Sequence, residues 1–328
     1  MLVATTDIRD LMVRACRRAA VPDEHVDLVV DHYLEGELRG KTSHGVAKFC
    51  FEAQYFAHRR GTPFVTREHG AVAVVDGNRE VGPVSAAYAV DLAVDRARRF
   101  GVGLVGVVNT QRYGILATWA ERIARNDLVG VVMNTSTADS TVLGARTPFL
   151  GVNPLGYAFP TAGEPLVVDM STTLASMGHL WEARRGSEVL RDDCFVDADG
   201  EFTGDPHAAA AAVVFGGHKG FALSLLIQVL TGSLFGFPMS TEVDSTWTTG
   251  YAFLAMDPSA GGPPEEFRAA NSRLVEVMAA VSTRDGGRLR LFGESSAGHR
   301  ARVVASGRVD LAEPVYRRLR ERAAGVTP

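Results

Sequence analysis

Apolar residues recur at helical spacing through the first sixty residues of the chain. Between positions 8 and 19 they follow the i, i+3, i+4, i+7 spacing that places them on one face of a helix. A second apolar face runs from Val26 to Leu38 and is followed by Gly40, a helix stop signal. The pattern predicts two helices, a turn at "KTSHG", and a third helix near Val46 to His58.

From position 71 the pattern changes to short apolar runs separated by helical segments. The runs that predict strands are AVAVVDG, VGLVGVVN and LVGVVMN, then the pair LGYAFPT and PLVVDMS, and finally YAFLAMDP. Helices are predicted from Ser85 to Arg99, from Ile115 to Arg125 and, mostly buried, from Phe221 to Phe235. The tail from Val309 to Arg322 is again helical. Such alternation is typical of an α/β fold.

These elements predict three regions. Residues 1–70 form a helical N-terminal segment that carries His44, residues 71–300 form an α/β region, and residues 301–328 form a C-terminal helix that packs back on the N-terminal helices. We find no internal repeat and no low-complexity linker in the sequence, so we expect the regions to be interleaved.

Composition narrows the class of protein. With 328 residues, of which 46% are hydrophobic, the chain can bury a full core. Its net charge of −4 is spread along the sequence without a basic block, so we expect no nucleic-acid partner. The first residues lack the apolar run of a secretory peptide, and the longest apolar stretch, Phe221 to Met239, is interrupted by polar residues. We therefore expect no membrane segment and a cytoplasmic location.

Cysteine usage points the same way. Cys16, Cys50 and Cys194 are far apart and none belongs to a C-x-x-C motif, which argues against a disulfide framework and a structural zinc site. We expect three plain thiols and no metal.

One apparent motif is rejected on its context. "GVGLVG", Gly101 to Gly106, has the G-x-G-x-x-G spacing of a dinucleotide fingerprint, which requires a preceding strand and a following helix. Here a predicted helix precedes and a predicted strand follows. We expect these glycines to allow close packing where the helix turns into the strand.

The turn "TSHG" is the first candidate for chemistry. Lys48 lies one helical turn beyond His44 and Glu52 one turn beyond Lys48, so the three can share one helix face. They are either a solvated face beside an ordinary turn histidine, or a site in which His44 exchanges a proton with substrate while Lys48 holds an anionic group.

Three later segments carry polar residues at element ends. The loop from Asn134 to Pro154 offers hydroxyl and amide donors, or is a plain turn-rich loop. Asp169 in "VVDMST" can orient a histidine, bind a ribose hydroxyl, or cap the next turn. "GGHKG", Gly216 to Gly220, opens a helix with glycines and a lysine, which suits an anion such as a pyrophosphate, although an unliganded helix start fits too.

In this order, the four segments, together with the stretch from "VVDGNREVG" to "GVVN" and with "FGE" near position 293, resemble the malate/L-lactate dehydrogenase family of non-Rossmann type. That family includes ureidoglycolate and sulfolactate dehydrogenases and piperideine-2-carboxylate reductases. The resemblance implies an NAD(P)H-dependent oxidoreductase, usually a homodimer, whose mixed cofactor-binding sheet lacks the Rossmann fingerprint. Residues 71–300 would then hold the cofactor and the catalytic region.

The resemblance also implies residue roles. His44 would face substrate and cofactor, supported by Ser43. The residues that would contact the dinucleotide or shape its pocket are Asn134, Ser136, Asn153, Asp169, Ser171, Thr172, His218, Lys219, Gly220 and Glu294.

The chain departs from the family pattern at three places. Lys48 replaces a typical arginine, Glu52 stands where a tyrosine is frequent, and Arg112-Tyr113-Gly114 replaces His-Phe-Gly, whose histidine is regarded as the acid/base in several members. Arginine does not release its proton, so either His44 or Tyr113 would handle the proton here, or the reaction would need a different one. A bidentate carboxylate clamp becomes a point charge beside an acid.

The sequence therefore favours hydride transfer from NADH or NADPH to a C=N or C=O carbon next to an anionic or polar group. His44 would donate the proton, Lys48 and Arg112 would bind negative charge, and Glu52 would recognise a polar or cationic group. Two alternatives stay open: a malate/lactate-like 2-hydroxy acid dehydrogenase, and an inactive dinucleotide-binding homologue. The choice between NAD and NADP stays open as well.

Overall fold

The computed structural model describes residues 1–185 and 189–326. Residues 186–188 and 327–328, which belong to the predicted α/β and C-terminal regions, lie outside the described residues. The helices are α1 (Thr5–Arg18), α2 (Asp23–Leu38), α3 (Val46–Glu52), α4 (Gly82–Phe100), α5 (Leu116–Ala124), α6 (Met177–Arg185), α7 (His218–Thr231), α8 (Pro264–Ala279), α9 (Glu294–Ser306) and α10 (Glu313–Ala324).

The strands form three sheets. They are β1 (Leu2–Ala4), β2 (Phe64–His69), β3 (Val72–Asp76), β4 (Val102–Val108), β5 (Val129–Asn134), β6 (Ser140–Thr141), β7 (Leu155–Phe159), β8 (Leu166–Met170), β9 (Phe195–Val196), β10 (Ala211–Val213), β11 (Tyr251–Met256) and β12 (Arg308–Asp310).

The main sheet has seven strands in the order β2-β3-β4-β11-β5-β7-β8. Strands β3 and β4 are parallel and the other neighbours are antiparallel, so the sheet is mixed. Strand residues alternate between two cores, because successive side chains point to opposite faces. Ala73 and Val75 pack under α4 and α5, whereas Val72 and Val74 face α7. The predicted α/β fold with a mixed sheet is confirmed.

A separate helical core joins the two ends of the chain. Residues of α1, α2 and α3 pack with Leu319 and Ala323 of α10, around the buried side chains of Met12 and Tyr33. Strand β1 pairs antiparallel with β12, which places Val3 opposite Val309. The tail was predicted to be helical from Val309, but Val309 lies in this strand pair and the helix begins at Glu313.

The rejection of "GVGLVG" as a dinucleotide fingerprint is confirmed. Gly101 ends α4 at φ 80°, and β4 begins at the next residue. A Cβ at Gly103 would overlap the carbonyl oxygen of Ala93, so this glycine lets α4 lie directly on β4.

Helix α7 differs from the prediction of a mostly buried helix. Ile227 is fully buried against the sheet, but Leu225, Leu226 and Val229 are 49%, 52% and 42% exposed. An apolar sequence cannot distinguish a helix face that enters a core from one that lies on the surface. None of the helices in the described part of the chain is long and apolar enough to cross a bilayer.

Candidate active site

His44 is presented by a short turn between α2 and α3. Residues Thr42–His44 form a single 3-10 turn, and α3 begins two residues after His44. The hydroxyl oxygen of Ser43 lies 3.0 Å from Nδ1 of His44, close enough for a hydrogen bond that orients the ring. The ring is accessible to solvent, but it lies in a recess with protein on most sides.

The recess disfavours a charged His44. Burial among protein atoms, reinforced by the positive charges of Lys48 and Lys41, lowers the pKa of His44 from 6.5 to about 4. In the free protein at neutral pH the ring is therefore uncharged.

Three charged side chains form a chain beside His44. Nζ of Lys48 lies 2.8 Å from Oε1 of Glu52, and a guanidinium nitrogen of Arg112 lies 3.9 Å from the same oxygen. The side chain of Glu52 is fully buried, that of Lys48 is 17% exposed and that of Arg112 is 35% exposed. Oε2 of Glu52 has no hydrogen-bond partner among the described residues. Of the two cations beside Glu52, Arg112 is therefore the one more open to a ligand.

Burial acts strongly on this charge chain. Burial lowers the pKa of Lys48. The charge of Arg112 lowers it further, whereas the carboxylate of Glu52 acts in the opposite direction.

Asp139, on the loop after β5, also borders the site. Burial raises the pKa of Asp139, while a hydrogen bond from Thr137 and the charge of Arg112 oppose the rise.

Arg112 and Tyr113 have opposite surroundings although they are adjacent. Arg112 borders the recess, whereas the ring of Tyr113 is buried and stacks on Tyr251 with centroids 3.7 Å apart. Burial raises the pKa of Tyr113 well above its ordinary value. The hydroxyl group of Tyr113 has no partner among the described residues. Tyr113 therefore forms part of the core beneath the site.

A chain of hydrogen bonds joins the other predicted segments. The amide of Val152 donates to Oγ of Ser136 over 3.0 Å, and the amide of Thr172 donates to the carbonyl of Val152 over 3.0 Å. The amide of Phe215 donates in turn to the carbonyl of Thr172 over 3.0 Å, and Phe215 immediately precedes "GGHKG". The structure thus brings the loop after β5, the "VVDMST" segment and the start of α7 together.

The start of α7 presents exposed backbone and a lysine to solvent. Gly216 and Gly217 adopt φ values of 58° and 59° in the left-handed region. A Cβ at Gly217 would meet no atom within 4 Å, and one at Gly216 would meet Cβ of Lys219 at 3.9 Å. The first-turn N–H groups of a helix have no partner within it, and His218 and Lys219 are exposed there. A Cβ at Gly220 would overlap the carbonyl oxygen of Phe215, so this glycine allows the loop to fold tightly onto the helix.

Asp169, near the end of β8, is accessible to solvent but has protein atoms on most sides. Burial raises its pKa, and the positive charges of Lys41 and Arg39 oppose the rise, so this carboxyl group is close to the His44 turn. Gly178 at the start of α6 packs against Ser43, since a Cβ there would lie 3.3 Å from Cβ of Ser43. The strand end of β8 and the start of α6 therefore face the turn that carries His44.

Several predicted residues use their polar groups inside the protein. Asn153 is fully buried, and its amide donates over 3.0 Å to both the carbonyl and the hydroxyl oxygen of Ser224 in α7. The hydroxyl of Thr172 donates to Val152, and that of Ser171 to Thr173. These groups shape the loops.

Asn134 and Glu294 also make their hydrogen bonds locally. The side-chain amide of the buried Asn134 donates to the carbonyl of Thr135. Glu294 accepts hydrogen bonds from Arg288 and Leu291 of its own segment.

Sequence reasoning missed three residues that border the site. Asp139 lies in the loop after β5 and Lys41 in the turn before α3, and the sequence prediction assigned no role to either of them. His32 is buried in α2 and stacks on Trp119 with centroids 4.7 Å apart. Burial is the main cause that lowers the pKa of His32 to about 3. No local signal marks His32, because its burial arises from packing against residues 114–119. Within the described residues, no cluster of three or more His, Cys, Asp and Glu side chains is placed to hold a metal ion.

The chain is similar to known dehydrogenases and reductases over most of its length. The sequence model of a family described as malate/L-lactate dehydrogenase matches residues 3–320. The L-sulfolactate dehydrogenase of Methanothermobacter thermautotrophicus is 35% identical, with 79% of each chain covered. The Δ1-pyrroline-2-carboxylate/Δ1-piperideine-2-carboxylate reductase of Pseudomonas syringae pv. tomato is 29% identical over 98% of this chain and 96% of its own. The solved sulfolactate dehydrogenase of Methanocaldococcus jannaschii superimposes with a TM-score of 0.91 at 25% identity, covering 99% of this chain and 97% of the other.

Proposed function

We propose, since this chain belongs to the malate/L-lactate dehydrogenase family and is an NAD(P)-dependent oxidoreductase, that it reduces a C=N or C=O carbon next to an anionic or polar group. The substrates are of the cyclic imino acid or 2-oxo acid type. The bound nicotinamide supplies the hydride, and the protein's own residues bind the substrate and supply the proton.

The observation that carries the proposal is the series of charges beside His44, in which the buried Glu52 lies between Lys48 and the more exposed Arg112. Glu52 already neutralises Lys48 at 2.8 Å, so Arg112 is the cation left to hold a carboxylate of the substrate. Oε2 of Glu52 is buried without a partner among the described residues, and it is the proposed acceptor for an N–H group of the substrate. A substrate with a carboxylate next to a C=N or C=O carbon matches this set.

His44 is the proposed proton donor in the direction of reduction. A pKa of about 4 makes it a base in the free protein, which suits acceptance of a proton during oxidation of the product. An anionic substrate and the phosphates of the dinucleotide bring negative charge toward the recess. That charge opposes Lys48 and Lys41, and so raises the pKa of His44 in the complex.

Reduction of the substrate requires two transfers, one of a hydride and one of a proton. The hydride adds to the carbon, and the proton of His44 goes to the oxygen or nitrogen. Oxidation reverses both steps.

The start of α7 is the proposed phosphate site, with Gly216, Gly217 and Lys219 exposed around it. Ser136 and Asp169 border the remaining part of the dinucleotide. Either NAD or NADP is compatible with these groups.

The 2-hydroxy acid dehydrogenase activity is the second candidate. The relative that is 35% identical is a named L-sulfolactate dehydrogenase, and Arg112 would hold the carboxylate of such a substrate as well. The two candidates differ in their use of Glu52, because a simple 2-oxo acid has no N–H group to donate to Oε2.

A fluorescence titration with NADH and with NADPH tests the cofactor first. Saturable binding of one of them fixes the cofactor for a screen of cyclic imino acids against 2-oxo acids, with nicotinamide absorbance as the readout. Absence of binding to both would refute the oxidoreductase proposal.

His44→Ala tests the proton donor. It should lose turnover by about 10²–10⁴-fold while keeping its dinucleotide affinity. The matched control is His69→Ala, on the exposed strand β2, which should behave like the parent protein. A protein that binds the dinucleotide but turns over no substrate of either class would instead be the inactive homologue.

Glu52→Gln separates the two substrate classes. The replacement keeps size and one acceptor but removes the charge, so the KM for a cyclic imino acid should rise more than that for a 2-oxo acid. An equal change for both classes would show that Glu52 does not contact the nitrogen of the substrate.

The proposal includes a homodimer and a cytoplasmic location. Exposed apolar side chains lie on α7, where Leu226 is 52% exposed, and on α8, where Val277 is 65% exposed. Soluble monomers rarely expose such faces. Leu226→Glu and Val277→Glu should each shift the species seen by light scattering toward the monomer. The free, buried thiols of the three cysteines suit a reducing compartment.

A further inference from the structure

The turn that carries His44 packs against a buried carboxyl group that has no role in the proposed reaction. Glu37, near the end of α2, is 1% exposed. Its Oε1 accepts a hydrogen bond of 2.7 Å from the amide of Val46, the first residue of α3. The turn that carries His44 is therefore tied at its far end to this side chain.

Backbone contacts leave the turn little freedom beside Glu37. A Cβ at Gly45 would overlap Oε1 of Glu37, and a Cβ at Gly36 would lie 2.7 Å from Cα of Gly45 and 2.8 Å from the carbonyl oxygen of His44. Both glycines thus let α2 and the turn touch directly. Because the carboxyl group fills the space against Gly45, a change in its size or hydrogen bonding acts on the neighbouring residue, His44.

We infer that Glu37 is a positioning residue for His44. The buried carboxyl group of Glu37 fixes the turn between α2 and α3 by holding the amide of Val46. It does not touch substrate or cofactor. The inference rests on the proposed role of His44 and adds to it the residue that sets the geometry of the proton donor.

The electrostatic surroundings of Glu37 indicate that its hydrogen bond with the amide of Val46 is structurally important. Burial raises the pKa of Glu37 to about 7, against the hydrogen bond from Val46 and the charge of His299. The charge of Glu37 also acts on Cys50 of α3, whose thiol stays neutral because burial raises its pKa to about 12. Oε2 of Glu37 has no partner among the described residues. Among the described residues, the amide of Val46 is therefore the hydrogen-bond donor that holds this carboxyl group.

Two replacements of Glu37 test the inference. Glu37→Leu fills the same space but removes the acceptor, and Glu37→Gln keeps an acceptor oxygen without the charge. Glu24→Gln, an exposed acid of the same helix, is the matched control. The readouts are kcat, the Kd of the dinucleotide, and the Cε1–H NMR signal of His44, assigned with His44→Gln.

Glu37→Leu should lower kcat by roughly 10- to 100-fold, the loss expected from a misplacement of about 1 Å, while the dinucleotide Kd stays unchanged. Its His44 signal should move, and Glu37→Gln should restore both kcat and the signal. The parent protein, but not Glu37→Gln, should show an inflection of kcat near pH 7.

Three results would overturn the inference. They are an unmoved His44 signal with full kcat in Glu37→Leu, a parallel loss of kcat and dinucleotide affinity, and a Glu37→Gln protein that has lost turnover and displaced the signal. If Glu37→Leu does not fold, Glu37→Gln decides alone. The NMR signal needs no turnover, so failure of the proposed function, seen as full activity of His44→Ala, is distinguishable from failure of this inference.

Discussion

Replacing Lys48 with methionine should raise the pKa of His44. Burial, Lys48 and Lys41 lower that pKa from 6.5 to about 4, in this order of size. Because Lys48 is the second of three causes, it accounts for at most about half of the fall. The pKa of His44 should therefore rise by up to about 1 at low ionic strength, and by less in salt, since the ring is accessible to screening ions.

The assay is an NMR titration of histidine-labelled protein, in which the Cε1–H signal of His44 is identified by its absence from His44→Gln. Lys48→Met alone leaves Glu52 buried with only Arg112 at 3.9 Å. The variant Lys48→Met/Glu52→Gln is therefore the matched control, because it removes both charges of the 2.8 Å pair. Lys41→Met should raise the pKa of His44 by less than Lys48→Met, since Lys41 is the smallest of the three causes.

Activity gives a second measurement of the same quantity. With His44 as the proposed proton donor, kcat/KM for reduction should fall as the pH rises through the pKa of His44 in the free protein, and the fall should move to higher pH in Lys48→Met. A pKa of His44 that stays at its parent value, or decreases, in Lys48→Met would refute the electrostatic reasoning.

Three further predictions concern stability. Because the pKa of Glu37 is raised from 4.5 to about 7, its contribution to stability is complete below pH 4.5 and is lost as the pH rises to 7. Glu37→Gln should remove this loss of unfolding free energy, which is on the order of 2–3 kcal/mol and is measured by urea unfolding at several pH values. A difference in unfolding free energy between the two proteins that does not change with pH would contradict the prediction. Gly114→Ala should lower the unfolding free energy by roughly 1–3 kcal/mol, because φ is +77° and a Cβ would overlap Nε2 of His32. Asn153→Ala removes both hydrogen bonds to Ser224 and should cost roughly 1–3 kcal/mol, measured the same way, with an unchanged midpoint counting against the network.

The sequence predicted the sheet because its strands are apolar runs bounded by turn residues. The paired strands β7 and β8 lie in register, with Leu155 opposite Met170 and Phe159 opposite Leu166, as their short separation indicates. Strands β1 and β12 have three residues each and join positions 2–4 to 308–310. No periodicity can reveal such a pair, because three residues are too few to show alternation and the two strands are separated by the whole length of the chain between positions 4 and 308.

The candidate site shows a similar division between local and tertiary signals. The spacing of His44, Lys48 and Glu52 predicted a common face, and the 2.8 Å distance between Lys48 and Glu52 agrees with it. The sequence could not show that Arg112 reaches this face while its neighbour Tyr113 enters the core. That outcome depends on how the segment after β4 crosses the end of the sheet.

The three departures from the family pattern are one structural unit. Lys48, Glu52 and Arg112 touch in series, with the carboxylate of Glu52 fully buried between two cations. A buried carboxylate without such partners carries a large desolvation cost, whereas two buried cations without the acid repel each other. Each substitution is therefore tolerable because the other two accompany it. It follows that the charge which Arg112 presents at the recess depends on the pair of Lys48 and Glu52, whereas the pKa of His44 responds directly to Lys48.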